Sequence, residues 1–281
     1  EGDDRTVTLR VLGAHSVGER GDLRAALTYG DISHTERLAG SGVRDFRQRL
    51  WSLGSEAEWR FDDLPGWESL GATHLNVGFS IDGADTPESG GIPPLGRIGD
   101  WGGRLGLSSL TGGGRLLLHG GVSRRARFPS LRELYSDALG RFVPNPDLEQ
   151  EVLTGMELGL TADLQGVDLQ VVGFHQMLSD GIVRVGVQTP EGPKRQRVNR
   201  DGIRSTGLEM VASGGWRAVQ YSADVTLQQA WQIEDGSDLG TRPEYEPSVV
   251  GGFDMAVPVP GELSLSGGYR FVGSQSCLNA E

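Results

Sequence analysis

His74-Leu75-Asn76-Val77-Gly78-Phe79-Ser80-Ile81 sets Leu75, Val77, Phe79 and Ile81 against polar or tiny neighbours, one for one. A period of two sends successive side chains to opposite faces of a β-strand. Further along, Val152, Thr154, Met156, Leu158 and Leu160 alternate with Gly155, Glu157, Gly159 and Thr161. The pattern returns in Val219-Gln220-Tyr221-Ser222-Ala223-Asp224-Val225-Thr226-Leu227-Gln228 and in Leu263-Ser264-Leu265-Ser266-Gly267-Gly268-Tyr269-Arg270-Phe271. Twelve such strands centre near residues 9, 26, 53, 78, 105, 120, 157, 173, 204, 224, 251 and 267. No segment between them reads as a long amphipathic helix. Composition agrees: 44 of 281 residues are glycine. That is roughly twice the usual share, and each interior glycine costs a helix about 1 kcal/mol relative to alanine. A helical bundle is excluded.

The connections alternate in length. Ser16 to Arg20, Thr111 to Gly114, Gln165-Gly166, Gly214-Gly215 and Pro258 to Gly261 are short, and Asp62 to Gly71 is intermediate. Asp31 to Asp45, Gly83 to Gly99, Arg127 to Gln150, Val187 to Arg195 and Glu234 to Glu246 read as long loops. In an up-and-down meander this places every tight turn at one end and every long loop at the other. Sandwiches with Greek-key crossovers have no reason to sort loops in this way, whereas outer-membrane barrels do.

The strand-like runs are about 10 to 15 residues long, against about 5 or 6 in soluble proteins and roughly 9 to 11 needed to cross a bilayer at a tilt. Trp51 and Trp59 share one face of the third strand, about 26 Å apart at roughly 3.3 Å per residue. That is about the height of a lipid-facing band with an aromatic at each rim. A hydrophobic fraction of 37% fits strands with one face in lipid and the other in a polar lumen. A soluble sandwich or propeller would need a second layer over those apolar faces, and the sequence offers none.

Three further stretches carry a family resemblance. Arg124-Arg125-Ala126-Arg127-Phe128-Pro129-Ser130-Leu131-Arg132-Glu133-Leu134-Tyr135, followed by Asn145-Pro146-Asp147-Leu148-Glu149-Gln150-Glu151, resembles the strand exit and re-entry late in the barrel of TonB-dependent outer-membrane receptors. Glu157-Leu158-Gly159 is similar to the family's next strand, and Val198-Asn199 with Ile203-Arg204-Ser205-Thr206-Gly207-Leu208-Glu209 to a later one. Gln150 stands where the family usually has proline, and Ser179-Asp180-Gly181-Ile182 only loosely matches a family turn. In physical terms these are architectural residues: Pro129 and Asn145-Pro146 fix backbone geometry at a loop exit and a strand start. Gly207 sits where a side chain would crowd the lumen, and Glu157 and Glu209 point inward by alternation.

The resemblance implies an all-β, antiparallel up-and-down transmembrane β-barrel. Residues 1–281 would be a partial barrel domain, about twelve strands of a barrel of about 22, the ninth to the twentieth. The plug domain and the closing strands would lie outside this chain. The start at Glu1 without Met likewise reads as part of something longer. By the same resemblance the whole protein is expected in the outer membrane of a Gram-negative bacterium, in contact with its lipid. There it would take up a scarce, bulky solute such as a siderophore, cobalamin, a nickel complex or a glycan, as a small-molecule or metal-chelate ligand. Energy would come from a TonB-type partner acting through the plug. The alternatives are a plugless porin or adhesin-type barrel and a soluble β-rich binding module.

Other chemistries find little support. A net charge of -12 and a pI near 4.9 argue against a nucleic-acid partner, which needs a concentrated basic face. The single Cys277 excludes an internal disulfide and a multi-cysteine metal site. No apolar run approaches the length of a membrane-spanning helix. His15, His34, His74, His119 and His175 fall in no spacing that pairs a base with a nucleophile or builds a metal site. Asp62-Asp63 and Asp235 to Asp238 read as solvated loop acids, and Gly112-Gly113-Gly114 as a tight turn. The expectation is a protein that is no enzyme and holds neither metal nor cofactor. Arginines in or near the long loops, Arg125, Arg127, Arg141 and Arg195, are the candidates for meeting an anionic ligand.

Overall fold

The computed structural model describes residues 2–38, 42–62, 70–137, 140–200, 202–234, 237–238, 242–243 and 246–275. Cys277, Asp63, Asp235, most of the segment 62–71 and much of the loop 234–246 lie outside the described residues. Six strands open the chain: β1 (Gly2–Val17), β2 (Gly21–Leu38), β3 (Gly42–Phe61), β4 (Thr73–Ser89), β5 (Ile98–Thr111) and β6 (Leu116–Arg127). A short helix α1 (Leu131–Tyr135) and strand β7 (Phe142–Val143) follow, then β8 (Glu151–Asp163), β9 (Val167–Ser179), β10 (Gly181–Thr189) and β11 (Gly192–Arg200). The remainder is β12 (Ile203–Trp216), β13 (Val219–Glu234), β14 (Ser237–Asp238), β15 (Val249–Val259) and β16 (Leu263–Val272).

Twelve of these strands form one antiparallel meander in the order β1-β2-β3-β4-β5-β6-β8-β9-β12-β13-β15-β16. They are the twelve strands legible in the alternation. Among the described residues β1 and β16 pair on one side only. The ladder registers carry one face across the sheet: Leu23, Ala57, Val77, Leu105, Val122, Met156 and His175 stand side by side. So do Gly21, Trp59, Leu75, Leu107, Gly120 and Leu158. Among the described residues this face is uncovered, with Leu9, Val11, Leu158 and Leu265 among many large apolar side chains in the open. A sandwich buries such residues against a second sheet. The described residues therefore form no sandwich.

Aromatic residues mark both rims of the apolar face. Trp59 and Trp216 lie beside tight turns, while Tyr29, Trp51, Trp101 and Trp231 lie toward the long connections. The opposite face is polar: Glu58, Asn76, Gly106, Gly121, Glu157, Phe174, Gly207 and Gln228 follow one another across the ladders. The β4–β5 and β6–β8 connections pack against Phe46 and Gln48 on this face, which marks it as the lumen side. The β5–β6 turn uses Gly112, Gly113 and Gly114 at φ values of 62°, 69° and 88°, a run of left-handed backbone that other residues rarely adopt.

Two expected loops are strand. Asp31 to Asp45 is a continuation of the β2–β3 ladder, paired from Asp31↔Arg49 to Leu38↔Gly42. The reason is visible beyond Tyr29 and Trp51, where the outward face changes from apolar to ionic. Arg47 bonds Asp31 at 2.7 Å and Arg49 bonds Asp85 at 2.7 Å. Loss of apolar alternation there marks the end of the lipid layer, while the strand itself continues. Likewise Val187 to Arg195 is the distal part of a hairpin, β10–β11, which pairs from Gly181↔Arg200 to Thr189↔Gly192 and takes β7 on its edge.

A folded loop cap over the lumen

The sequence motifs converge at the loop end. Ser130 caps α1: its hydroxyl accepts from the Glu133 N–H at 3.3 Å, and the Glu133 carboxylate accepts from the Ser130 N–H at 2.8 Å. That reciprocal pair satisfies two otherwise orphaned donors. Pro129 offers its carbonyl to Gln48 Nε2 at 2.7 Å, tying the helix start to the wall. Leu134 and Tyr135 then turn into a small core with Phe46, Leu95 and Leu148, the Phe46 and Tyr135 rings 5.9 Å apart. The Tyr135 hydroxyl accepts from the Leu95 N–H at 2.7 Å and lies 2.6 Å from Thr86 Oγ1. Two connections, β4–β5 and β6–β8, are thereby fused into one unit.

The asparagines of the motifs fasten the hairpin to that unit. Asn145 Nδ2 donates to the Arg197 carbonyl at 2.8 Å. Asn199 accepts from the Glu149 N–H at 2.8 Å and donates to the Glu149 and Asp180 carbonyls at 3.0 and 2.7 Å. Glu151 accepts from the Ile182 N–H at 2.7 Å. Gly207 is close-packed on the lumen face, where an added Cβ would stand 2.5 Å from Phe174 Cζ.

The four candidate arginines separate. Arg127 pairs with Glu151 and, at 2.9 Å, with Glu133, so its guanidinium anchors the cap. Arg125 faces the lumen, lining a concavity with Arg10, Arg24, Arg104 and Glu56. There Glu56 pairs with Arg24 at 3.8 Å and also with Arg104. Arg141 and Arg195 come together, the Arg195 N–H donating to the Arg141 carbonyl at 3.0 Å, and both are exposed. Two arginines absent from the sequence-based set join them. Arg184 and Arg197 face each other across the hairpin and lie 5.9 and 4.6 Å from the centre of the Phe142 ring. Their signal was available in the Pro190-Glu191-Gly192 turn between alternating Val183, Val185, Val187 and Lys194, Gln196, Val198. Among the described residues no group of three or more metal-ligating side chains occurs.

Burial works to raise the Glu133 pKa, but Arg127 and the Ser130 N–H and hydroxyl outweigh it and hold the carboxyl below the ordinary glutamate value. A depressed pKa means stabilisation present above the ordinary value and lost as pH falls through the lowered one. The cap is therefore expected to open to limited proteolysis between Arg127 and Gln150 at acid pH. Glu133→Gln should remove that acid step while leaving a weaker cap at neutral pH, and an unchanged pH profile in the variant would rule the clamp out.

The likeness to known proteins follows this architecture. The family model described as TonB dependent receptor-like, beta-barrel, matches residues 2–280. No curated protein sequence matches. Among solved structures, the copper transporter OprC aligns with a TM-score of 0.76 at 17% identity, covering 96% of this chain and 43% of its own. An FrpB iron transporter from Neisseria meningitidis aligns at 0.73 and 13%, covering 96% and 44%. The Serratia marcescens hemophore receptor HasR, solved with its hemophore HasA and heme, aligns at 0.69 and 14%, covering 96% and 51%. At these identities the likeness is one of fold, and the chain spans about half the length of these proteins or less. With the meander, the apolar outer face and the match over nearly the whole sequence, the chain belongs to the TonB-dependent receptor β-barrel family.

Proposed function

We propose that the protein carrying this chain is an outer-membrane receptor of a Gram-negative bacterium. It captures a scarce, bulky solute at its loop cap and passes it through the lumen, with energy from a TonB-type partner acting on a plug domain. The observation that carries the proposal is the three-part division of the wall. An apolar band with aromatic rims faces outward, a polar face lines the lumen, and a folded cap sits over the loop end. A passive pore needs the first two; a cap held by its own core and a charged hairpin suits capture. Structural neighbours are named as transporters of copper and iron, a siderophore receptor and a hemophore receptor solved with heme, which supports a metal chelate or organometallic cargo. The proposal assigns no catalysis.

The test compares cells expressing the full-length receptor with and without the energy-transducing partner. Uptake is measured with labelled ferric siderophores, heme, cobalamin and copper complexes. At least one cargo should accumulate only in the presence of the partner. Equal, non-saturating entry of all of them in both strains would replace the proposal with a passive porin.

A further inference from the structure

Residues 181–200 carry Arg184, Lys194, Arg195, Arg197 and Arg200 against one acid, Glu191, a net charge of +4 within a chain of net charge -12. Six arginines of the cap and wall, Arg47, Arg49, Arg104, Arg124, Arg127 and Arg270, each reach a carboxylate. Among the described residues no carboxylate lies within 4.0 Å of the Arg141, Arg184, Arg195 or Arg197 guanidinium.

Arg197 is the sharpest case. It is only 8% exposed, and its guanidinium rests on the Phe142 ring and donates to the Arg132 carbonyl at 3.0 Å. Arg184 stands directly across the ladder, and Arg195 lies two residues away on the same face, in register with Phe142. Burial and the charge of Arg184 pull the Arg197 pKa down, outweighing the opposite effect of the nearby Glu133 carboxylate. Placing like charges opposite one another on a strand pair is destabilising, and a buried cation with no carboxylate in direct contact is worse. The backbone bond and the ring orient the group without neutralising it. An oxyanion would supply the missing charge, and a guanidinium fork matches carboxylate and phosphate geometry with two parallel hydrogen bonds.

We propose that Arg184, Arg195 and Arg197, set around Phe142, form an oxyanion site that holds a carboxylate- or phosphate-bearing ligand at the loop cap. The assignment rests on the capture role proposed above. Arg141, beside Arg195, lies at its open edge. The same chemistry is offered by an anionic chelate in solution and by the phosphates of a lipopolysaccharide headgroup.

The experiment uses the intact receptor purified in detergent. Citrate and inorganic pyrophosphate are titrated calorimetrically, and arginine accessibility is read by phenylglyoxal labelling with and without each anion. Saturable binding is expected, weakened on the order of tenfold or more by Arg184→Gln and by Arg195→Gln, as for loss of a charge-assisted hydrogen bond. Luminal Arg125→Gln should bind as the parent does. Arg197→Gln should abolish binding; because it also removes a cap contact, the affinities of the two exposed variants are the decisive measurement. A parallel arm adds lipopolysaccharide micelles: protection of Arg184 and Arg195 by lipopolysaccharide alone assigns the site to headgroup phosphate, and protection by citrate or pyrophosphate assigns it to a soluble anion. Equal binding by parent and both exposed variants, or no protection by any of the three, overturns the proposal. Anion binding that survives in a receptor whose uptake ignores the energy-transducing partner leaves the site standing and removes the uptake role instead.

Discussion

Gly202→Ala is expected to cost the receptor about 3 kcal/mol or more, at the upper end of what overpacking does, and to displace the β10–β11 hairpin from the wall. Gly202 is buried at the foot of that hairpin, and an added Cβ would fall 1.2 Å from the Leu178 carbonyl oxygen and 2.3 Å from its carbon. The obstruction is backbone, so no rotamer relieves it. On the other side the Gly202 carbonyl is held by the Ile233 N–H at 2.9 Å. Room for a methyl group therefore requires β9 and β12 to part where Ile203 pairs with Leu178. Gly186→Ala serves as control: it lies in the same hairpin, with nothing within 4 Å of an added Cβ, and should stay within about 0.5 kcal/mol of the parent. Urea unfolding in lipid vesicles gives the free energies, and proteolysis at Thr189 to Gly192 reports the hairpin. Identical midpoints for the Gly202 variant and the parent would mean that the strands have slack which the packing denies.

The second large effect is expected at Leu158→Arg. Leu158 is 74% exposed in the middle of β8 on the apolar face, where the ladder places it between Gly120 and Gly173. In water an exposed leucine would be replaced almost freely; facing the centre of a bilayer, arginine costs about 2 to 4 kcal/mol. Gln176→Arg puts the same cation on the polar face of β9, in register with Gly155 and Ser205, and should cost less than about 1 kcal/mol. The contrast is measured by the same vesicle titration. Similar costs at the two positions would contradict the assignment of lipid and lumen faces.

The barrel wall was legible because its physics is local. A strand with one face in lipid and the other in water repeats every two residues, and Leu75 to Ile81 or Met156 to Leu160 show this without reference to any partner. The segment beyond Tyr29 was harder: with Asp31, Ser33, Arg47 and Arg49 outward, the lipid signal ends while the hydrogen-bond ladder continues. The motif Pro129-Ser130-Leu131-Arg132-Glu133-Leu134-Tyr135 was recognisable as a unit, and its capping box is a local device. Its partners Gln48, Thr86 and Leu95 come from β3, β4 and the β4–β5 connection and could not be named from spacing.

Of the arginines singled out by sequence, Arg127 turned out to be bound to two carboxylates and Arg125 to face the lumen. Arg141 and Arg195 met, joined by Arg184 and Arg197. Sequence alone determined which residues face lipid and which face the lumen, and that the chain is barrel wall, because alternation against a two-phase environment is written residue by residue. Only the tertiary structure decided which cations are neutralised and which are left around Phe142. Charge pairing depends on distances between side chains brought together from separate loops, and no local pattern encodes those distances.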